Sequence, residues 1–215
     1  GRIINVFENT SPYDFLRHKN QGAKPTARDL KLLEEKEYIV SYEENLDKTI
    51  ITKYEPNGHF IQSVTVEQKN KVSVYQKDGK TLVKEREVLP DGSEHENLYQ
   101  SDGKTLKRVT HYHMGGSVYT TVYQSDGKTL AQVIEQDDVG LSKTVVYDAD
   151  GKQIVKKIED LSDGAIRITV YKPHTDKIAY VQTGPLKGES HPNTYQRDEY
   201  DENGKTVHTE KIVIP

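Results

Sequence analysis

The sequence predicts an all-β fold: an extended antiparallel meander of tandem β-hairpin repeats, a largely single-layer twisted sheet, with a short N-terminal capping helix. Three observations carry this expectation. A Tyr-to-Leu phrase recurs at a fixed step, Gly-bearing turns divide the chain into short β-prone runs, and apolar material is too scarce for a two-layer domain. Residues of the AVILMFWYC set make up 33% of the 215-residue chain. Dropping its 14 Tyr from that count and adding its 15 Gly leaves it near 33%, against a usual ~45–50%. A conventional domain of this length buries about 70% of its unfolded surface, which this composition does not supply.

Residues 1–40 do not repeat and are read as an N-terminal cap, with a helix over about 26–37. Thr26 is its N-cap, Asp29 sits in the first turn, and Leu30 and Leu33 share one side. Tyr38 to Tyr42 then turns strand-like. The helix is expected to cover the first edge of the sheet, because repeat arrays need atypical ends and bare edges invite aggregation.

Residues 41–215 are read as the tandem hairpin sheet, best defined over 75–171. The phrase is YQKDGKTL from Tyr75, YQSDGKTL from Tyr99 and again from Tyr123, and YDADGKQI from Tyr147, each 24 residues after the last. Tyr171 keeps the beat with an altered turn, YKPHTDKI, and outlying copies start at Tyr54 and Tyr200. Halfway along each unit comes a second turn: LPDG, MGG, DDVG and LSDG. Runs such as SVYTTVY between Gly turns read as consecutive antiparallel hairpins, roughly a dozen strands in all.

The turn chemistry sets an expected register. A three-residue loop Lys77-Asp78-Gly79 places Val74 opposite Leu82 and Tyr75 opposite Thr81. The same rule at Pro90-Asp91-Gly92 places Lys84 opposite Leu98 and Val83 opposite Tyr99. One face then carries Val74, Leu82, Leu98, Leu106, Val122, Leu130, Val146 and Ile154 with Lys84, Arg108, Gln132 and Lys156. The other carries the Tyr series with Thr81, Thr105, Thr129, Val83, Lys107, Ala131 and Val155. Neither face is purely apolar, which a sandwich would require. Long charged side chains are expected to cover the apolar rows with their stems. Near the end, residues 184–192 form a Gly/Pro loop that breaks the 24-residue beat.

The candidate ligand-binding residues are Tyr75, Tyr99, Tyr123, Tyr147 and Tyr171. On alternate strands they repeat every ~9.5 Å along one face, a ladder that can stack on a linear glycan or grip an extended peptide. The competing reading is packing of Tyr over Thr and Val. His111 and His113 share a strand face, with His95 diagonal to them, but no carboxylate spacing completes a metal site, so the expectation is no metal and no cofactor. Asp78, Asp102, Asp126 and Asp150 each precede a Gly in a tight turn and are read as turn residues.

With 30 basic and 34 acidic residues, the net charge is -4, which argues against a nucleic-acid partner and a polybasic membrane binder. No run of ~18 apolar residues crosses a membrane. Cys is absent, and with it disulfides and thiolate chemistry. No Ser-His-Asp elbow, HExxH or phosphate-binding Gly loop occurs, so the chain is not expected to be an enzyme. The start at Gly1 without Met reads as a mature or trimmed chain. Open sheet edges permit strand addition from another chain and Lys-rich end strands oppose it, so composition sets no oligomeric state.

Residues 54–207 resemble the bacterial Tyr/Gly β-hairpin repeat proteins, namely the YD (Rhs-type) repeats and the MORN-variant repeats of antitoxin-type proteins. The shared pattern is Tyr-x-x-x-Gly-Lys/Arg-x-Leu, matched at 75–82, 99–106, 123–130 and 147–154. YDADGK at 147–152 has the YD form, and the other copies have Gln in place of Asp. Choline-binding repeats contain a similar phrase but depend on Trp, which this chain lacks, so choline binding is not carried over. The resemblance implies a β-repeat scaffold in a bacterial surface, secreted or toxin-related setting, with no catalytic residue. The expected function is a non-catalytic secreted or surface protein presenting a repetitive sheet face to a glycan, a host component or a protein partner. The alternatives are a cytoplasmic immunity or antitoxin-type protein that binds a toxin, and an enzyme with its site in the non-repeating ends.

Overall fold

Over residues 76–165 a Gly-bearing turn about every dozen residues reverses the chain before a strand can exceed eight residues, and the runs between are rich in Val, Ile, Thr and Tyr. The computed structural model accordingly contains strands and turns and no helix among the described residues. It describes the backbone of 38–42, 48–54 and 61–214, and the side chains of 48–50, 52 and 61–214. The expected helix over 26–37 lies outside the described residues.

The chain forms two compact units, residues 1–90 with 94–105 and residues 91–93 with 106–215. The first contains β1 (Tyr38–Tyr42), β2 (Lys48–Tyr54), β3 (Ile61–Gln68), β4 (Lys71–Gln76), β5 (Leu82–Val88) and β6 (Glu94–Tyr99). The second contains β7 (Leu106–Tyr112), β8 (Val118–Tyr123), β9 (Leu130–Gln136), β10 (Ser142–Tyr147), β11 (Ile154–Asp160), β12 (Ile166–Tyr171), β13 (Ile178–Gly184), β14 (Thr194–Tyr200) and β15 (Thr206–Val213). In each unit the order of strands in space is their order in sequence, and neither unit closes on itself. The antiparallel meander is thus as expected, with more strands than the dozen read from the sequence.

Burial is shallow on both faces. Among the described residues only Val133 and Ala165, each 9% exposed, form an apolar core, and no large side chain is fully buried. The most enclosed positions are more often polar, with Ser73 and Thr110 at 4% and Gln182 at 5%. A sheet covered mainly by its own side chains produces this pattern, because cross-strand neighbours shield the middle rows and no other described element packs above them.

The register in the Tyr-x-x-Asp-Gly turns differs from expectation. Tyr75 pairs with Leu82, not with Thr81, and Val74 pairs with Lys84, not with Leu82. The loop holds four residues, 77–80: the Gln76 N–H donates to Thr81 O at 2.8 Å, and the Gly79 N–H to Gln76 O at 2.9 Å. The cause is Asp78. Its Oδ1 accepts the N–H of Lys80 at 2.9 Å and of Thr81 at 2.8 Å, and its Oδ2 accepts the Thr81 hydroxyl. These bonds curl Lys80 into the loop, and one further residue, Val83, becomes a β-bulge. The same shift recurs where Tyr123 meets Leu130, Tyr147 meets Ile154 and Tyr171 meets Ile178. Leu82, Leu130 and Ile154 therefore join the Tyr face, contrary to the expected division.

At the second turns the three-residue loop holds. Lys84 pairs with Leu98 as expected, and the His113, Asp137 and Leu161 N–H groups close on the carbonyls of Ser117, Leu141 and Ala165 at 2.8–3.0 Å. The altered turn at Tyr171 closes in the manner of its predecessors, Lys172 N–H to Lys177 O at 2.8 Å. There Pro173 precedes His174, which takes φ 58° one residue before the place of the repeat's glycine, held here by Thr175.

Turns on the same edge touch. A Cβ added to Gly103 (φ +69°) would lie 2.8 Å from both Leu82 N and Thr81 Cγ2. One added to Gly151 (φ +73°) would lie 2.8 Å from Thr129 Cγ2 and 2.9 Å from Leu130 N. Glycine is needed there both for its backbone angle and for the space.

Candidate functional site

Position along a strand decides which side chains share a face, and the middle row of the second unit fixes the frame. Thr121, Val133, Val145, Lys157, Thr169, Val181 and Asp198 pair in succession from β8 to β14. Tyr123, Tyr147 and Tyr171 each lie two residues beyond a member of that row, so they share its face, ~9.5 Å apart on alternate strands. Tyr200 stands in the same relation to Asp198 and continues the line on β14. It was missed as a site residue because the Gly/Pro loop puts it 29 residues after Tyr171 instead of 24. Between the tyrosines the bulged register inserts Leu130, Ile154 and Ile178. The result is an alternating aromatic and aliphatic strip running across the strands. All four tyrosines are half-buried.

In the first unit Tyr75 and Tyr99 also share a face, lying two residues beyond Ser73 and Asn97, which both pair with Glu85. Here the polar tip is engaged. The Tyr99 hydroxyl donates to Glu85 at 3.3 Å, and Lys71 Nζ lies 2.6 Å from the same carboxylate. Burial and the negative charge of Glu85 push the Tyr99 phenol up, and the hydrogen bond to Glu85 raises Lys71. Tyr99 thus belongs to a polar network that fastens β4 to β6.

An open groove of about 460 Å³ lies over the strip at Tyr171, lined by Ile154, Lys157 and Tyr171 with Lys152, Gln153, Thr175 and Asp176 at its rim. Ile154 and Lys157 reach one groove only because the bulge reverses the alternation between them. The Lys157 ammonium sits 5.5 Å from the Tyr171 ring centroid, within cation–π range.

The turns that follow the tyrosines are held by aspartates. The Thr81 hydroxyl, with the amides of Thr81 and Lys80, holds the exposed Asp78 carboxyl down at about 2. Asp102 is held at about 2 by the same set from Thr105 and Lys104, and Asp126 is lowered by Thr129 and Lys128. Asp150 accepts the Lys152 N–H at 3.0 Å. All four carboxylates shape turns, as read from the sequence.

His95 Nε2 lies 2.6 Å from Asn97 Oδ1, and His113 lies past the end of β7 in a turn. Among the described residues no three His, Cys, Asp or Glu side chains are placed to hold a metal ion. No described helix is long and apolar enough to cross a membrane. Compared with known proteins, the chain matches no family model and none of the curated proteins.

Proposed function

We propose that the protein is a non-catalytic binding and spacer module whose Tyr strip takes a linear glycan lying across the strands. In the setting its repeat phrase implies, that is a secreted or surface-displayed bacterial protein. One observation carries the reading: Tyr123, Tyr147, Tyr171 and Tyr200 stand in line on one face, alternating with Leu130, Ile154 and Ile178, with an open groove at Tyr171. Aromatic faces spaced at a constant ~9.5 Å suit a ligand that repeats along its length. A sheet that grows by identical hairpins adds such contacts without changing any of them.

The test is a glycan array probed with the wild-type chain and a Tyr147→Ala/Tyr171→Ala variant. Binding of a linear glycan that falls at least tenfold in the variant, on the order of 1.4 kcal/mol, supports the reading. Unchanged binding, or binding only to proline-rich peptides included as controls, removes it.

A further inference from the structure

Charge on the strip is set by which lysines lack a carboxylate. Five described lysines pair, Lys71 with Glu85, Lys84 with Glu96, Lys172 and Lys177 with Glu202, and Lys211 with Glu189, and none of the five lines the groove at Tyr171. Lys152 and Lys157 line the groove at Tyr171, and among the described residues neither ammonium has a carboxylate within 4.0 Å. The acids of the neighbouring turn accept backbone amides. Asp148 Oδ1 accepts the amides of Lys152 at 3.0 Å and Gln153 at 3.2 Å, and Asp150 Oδ1 accepts that of Lys152 at 3.0 Å. Asp176 is the one carboxylate on the rim, so the groove presents two cations against one anion. One step earlier, 24 residues back, the positions of Lys152 and Asp176 are held by Lys128 and Lys152. The position of Lys157 is held there by Val133, so that earlier step adds one new cation, Lys128, and shares Lys152 with the groove.

We infer that the ligand of the strip is a linear polysaccharide that alternates a uronic acid with a neutral sugar. The Tyr and aliphatic rows take the sugar faces, and Lys152 and Lys157 take the carboxylate. This rests on the glycan reading above and adds the chemical class. A densely sulfated chain fits less well, because Asp176 would oppose the additional anions, and a neutral chain would leave both ammonium groups without a counter-charge.

Three probes separate the cases when titrated calorimetrically into the full chain at low and high salt: a hyaluronan octasaccharide, a neutral chitin hexasaccharide and a heparin octasaccharide. The expected result is preference for hyaluronan, weakening with salt because exposed charges are screened. A Lys152→Gln/Lys157→Gln variant should bind roughly three- to tenfold more weakly. Lys128→Gln should show a smaller loss, and the melting curves should be unchanged. Equal binding of chitin and hyaluronan with no effect of the lysine variants overturns the uronate inference and leaves the Tyr strip standing. Tighter lysine-dependent binding of heparin also overturns it. No binding of any probe removes both readings.

Discussion

Tyr147 lies opposite Ile154 across β10 and β11, while one residue inward Val146 lies opposite Lys156. The step between these pairs leaves Val155 as an extra residue and turns Ile154 onto the face of the tyrosines. The Tyr-to-Leu spacing of the repeat is therefore a cross-strand contact at Tyr75, Tyr123, Tyr147 and Tyr171, a half-buried ring against a branched or γ-branched chain at the hairpin mouth. Everything proposed for the strip depends on this bulge, which the aspartate turns share with the turn at Tyr171, where Thr175 accepts the Lys177 N–H instead.

Thr81→Val should release Asp78. Its carboxyl stands at about 2, with the Thr81 hydroxyl as the largest cause, and should rise toward the ordinary value of about 3.9. Carboxyl-carbon NMR titration reads this directly. Because the folded value is depressed, the contribution to stability is present above the unfolded pKa and lost as pH falls from about 4 through about 2. Asp78→Asn should accordingly flatten the acid limb of the stability curve in that window. A Thr81→Val chain whose Asp78 still titrates near 2 would show that the hydroxyl is not the cause.

Gly151→Ala and Gly164→Ala should separate two kinds of glycine. Both have positive φ, +73° and +85°, but a Cβ at Gly151 meets the Leu130 backbone nitrogen at 2.9 Å, whereas nothing lies within 4 Å at Gly164. Gly164→Ala should cost about 1–2 kcal/mol from the left-handed backbone alone. Gly151→Ala should cost a further ~1–3 kcal/mol, because backbone must shift to admit the methyl group. Urea unfolding compares the two, and equal costs would mean that the edge turns do not press on one another.

The hairpin beat, the three-residue second turns and the shared face of the tyrosines were legible in the sequence, since Gly spacing and strand alternation determine them. The register at Tyr75 was not, because three- and four-residue loops both place a glycine at positive φ. In this copy the Thr81 amide and hydroxyl both bond Asp78 and close the four-residue loop, while the copies at Tyr147 and Tyr171 reach the same register with Gln153 and Lys177 in that place. An Asp followed three residues later by Thr was a usable signal, present in three copies at 78, 102 and 126. Lys157 and Ile154 could not be assigned to the site without that register, and Tyr200 was out of phase with the beat.

Gln182→Leu should destabilise the second unit by about 1–3 kcal/mol. Gln182 is 5% exposed and its Oε1 accepts from Arg197 Nη2 at 3.1 Å, while the Arg197 guanidinium stacks 4.5 Å from the Tyr180 ring centroid. Leucine would keep the volume but leave a partly covered guanidinium without its acceptor. Adding Arg197→Leu should cost less than the sum of the two single changes, since the pair shares one bond. Additive costs in thermal or urea unfolding would show that the bond contributes nothing.

Duplicating residues 123–146 should lengthen the second unit without disturbing it. Those 24 residues comprise one aspartate turn, β9, one second turn and β10, so the chain returns to the same direction, face and register. Each strand in this sheet bonds only the strands before and after it in sequence, and stability in such an array is a sum of hairpin and nearest-neighbour terms. The inserted Tyr takes the place of Tyr147 against its neighbours, and Tyr147 follows two strands later. The duplicated chain should be soluble, show more β signal in far-ultraviolet circular dichroism, and melt no lower than the parent. Aggregation, or a melting temperature lower by about 4 °C or more, equivalent to roughly 1 kcal/mol or more at this size, would mean that contacts beyond nearest neighbours hold the sheet. The 24-residue beat would then not be its structural unit.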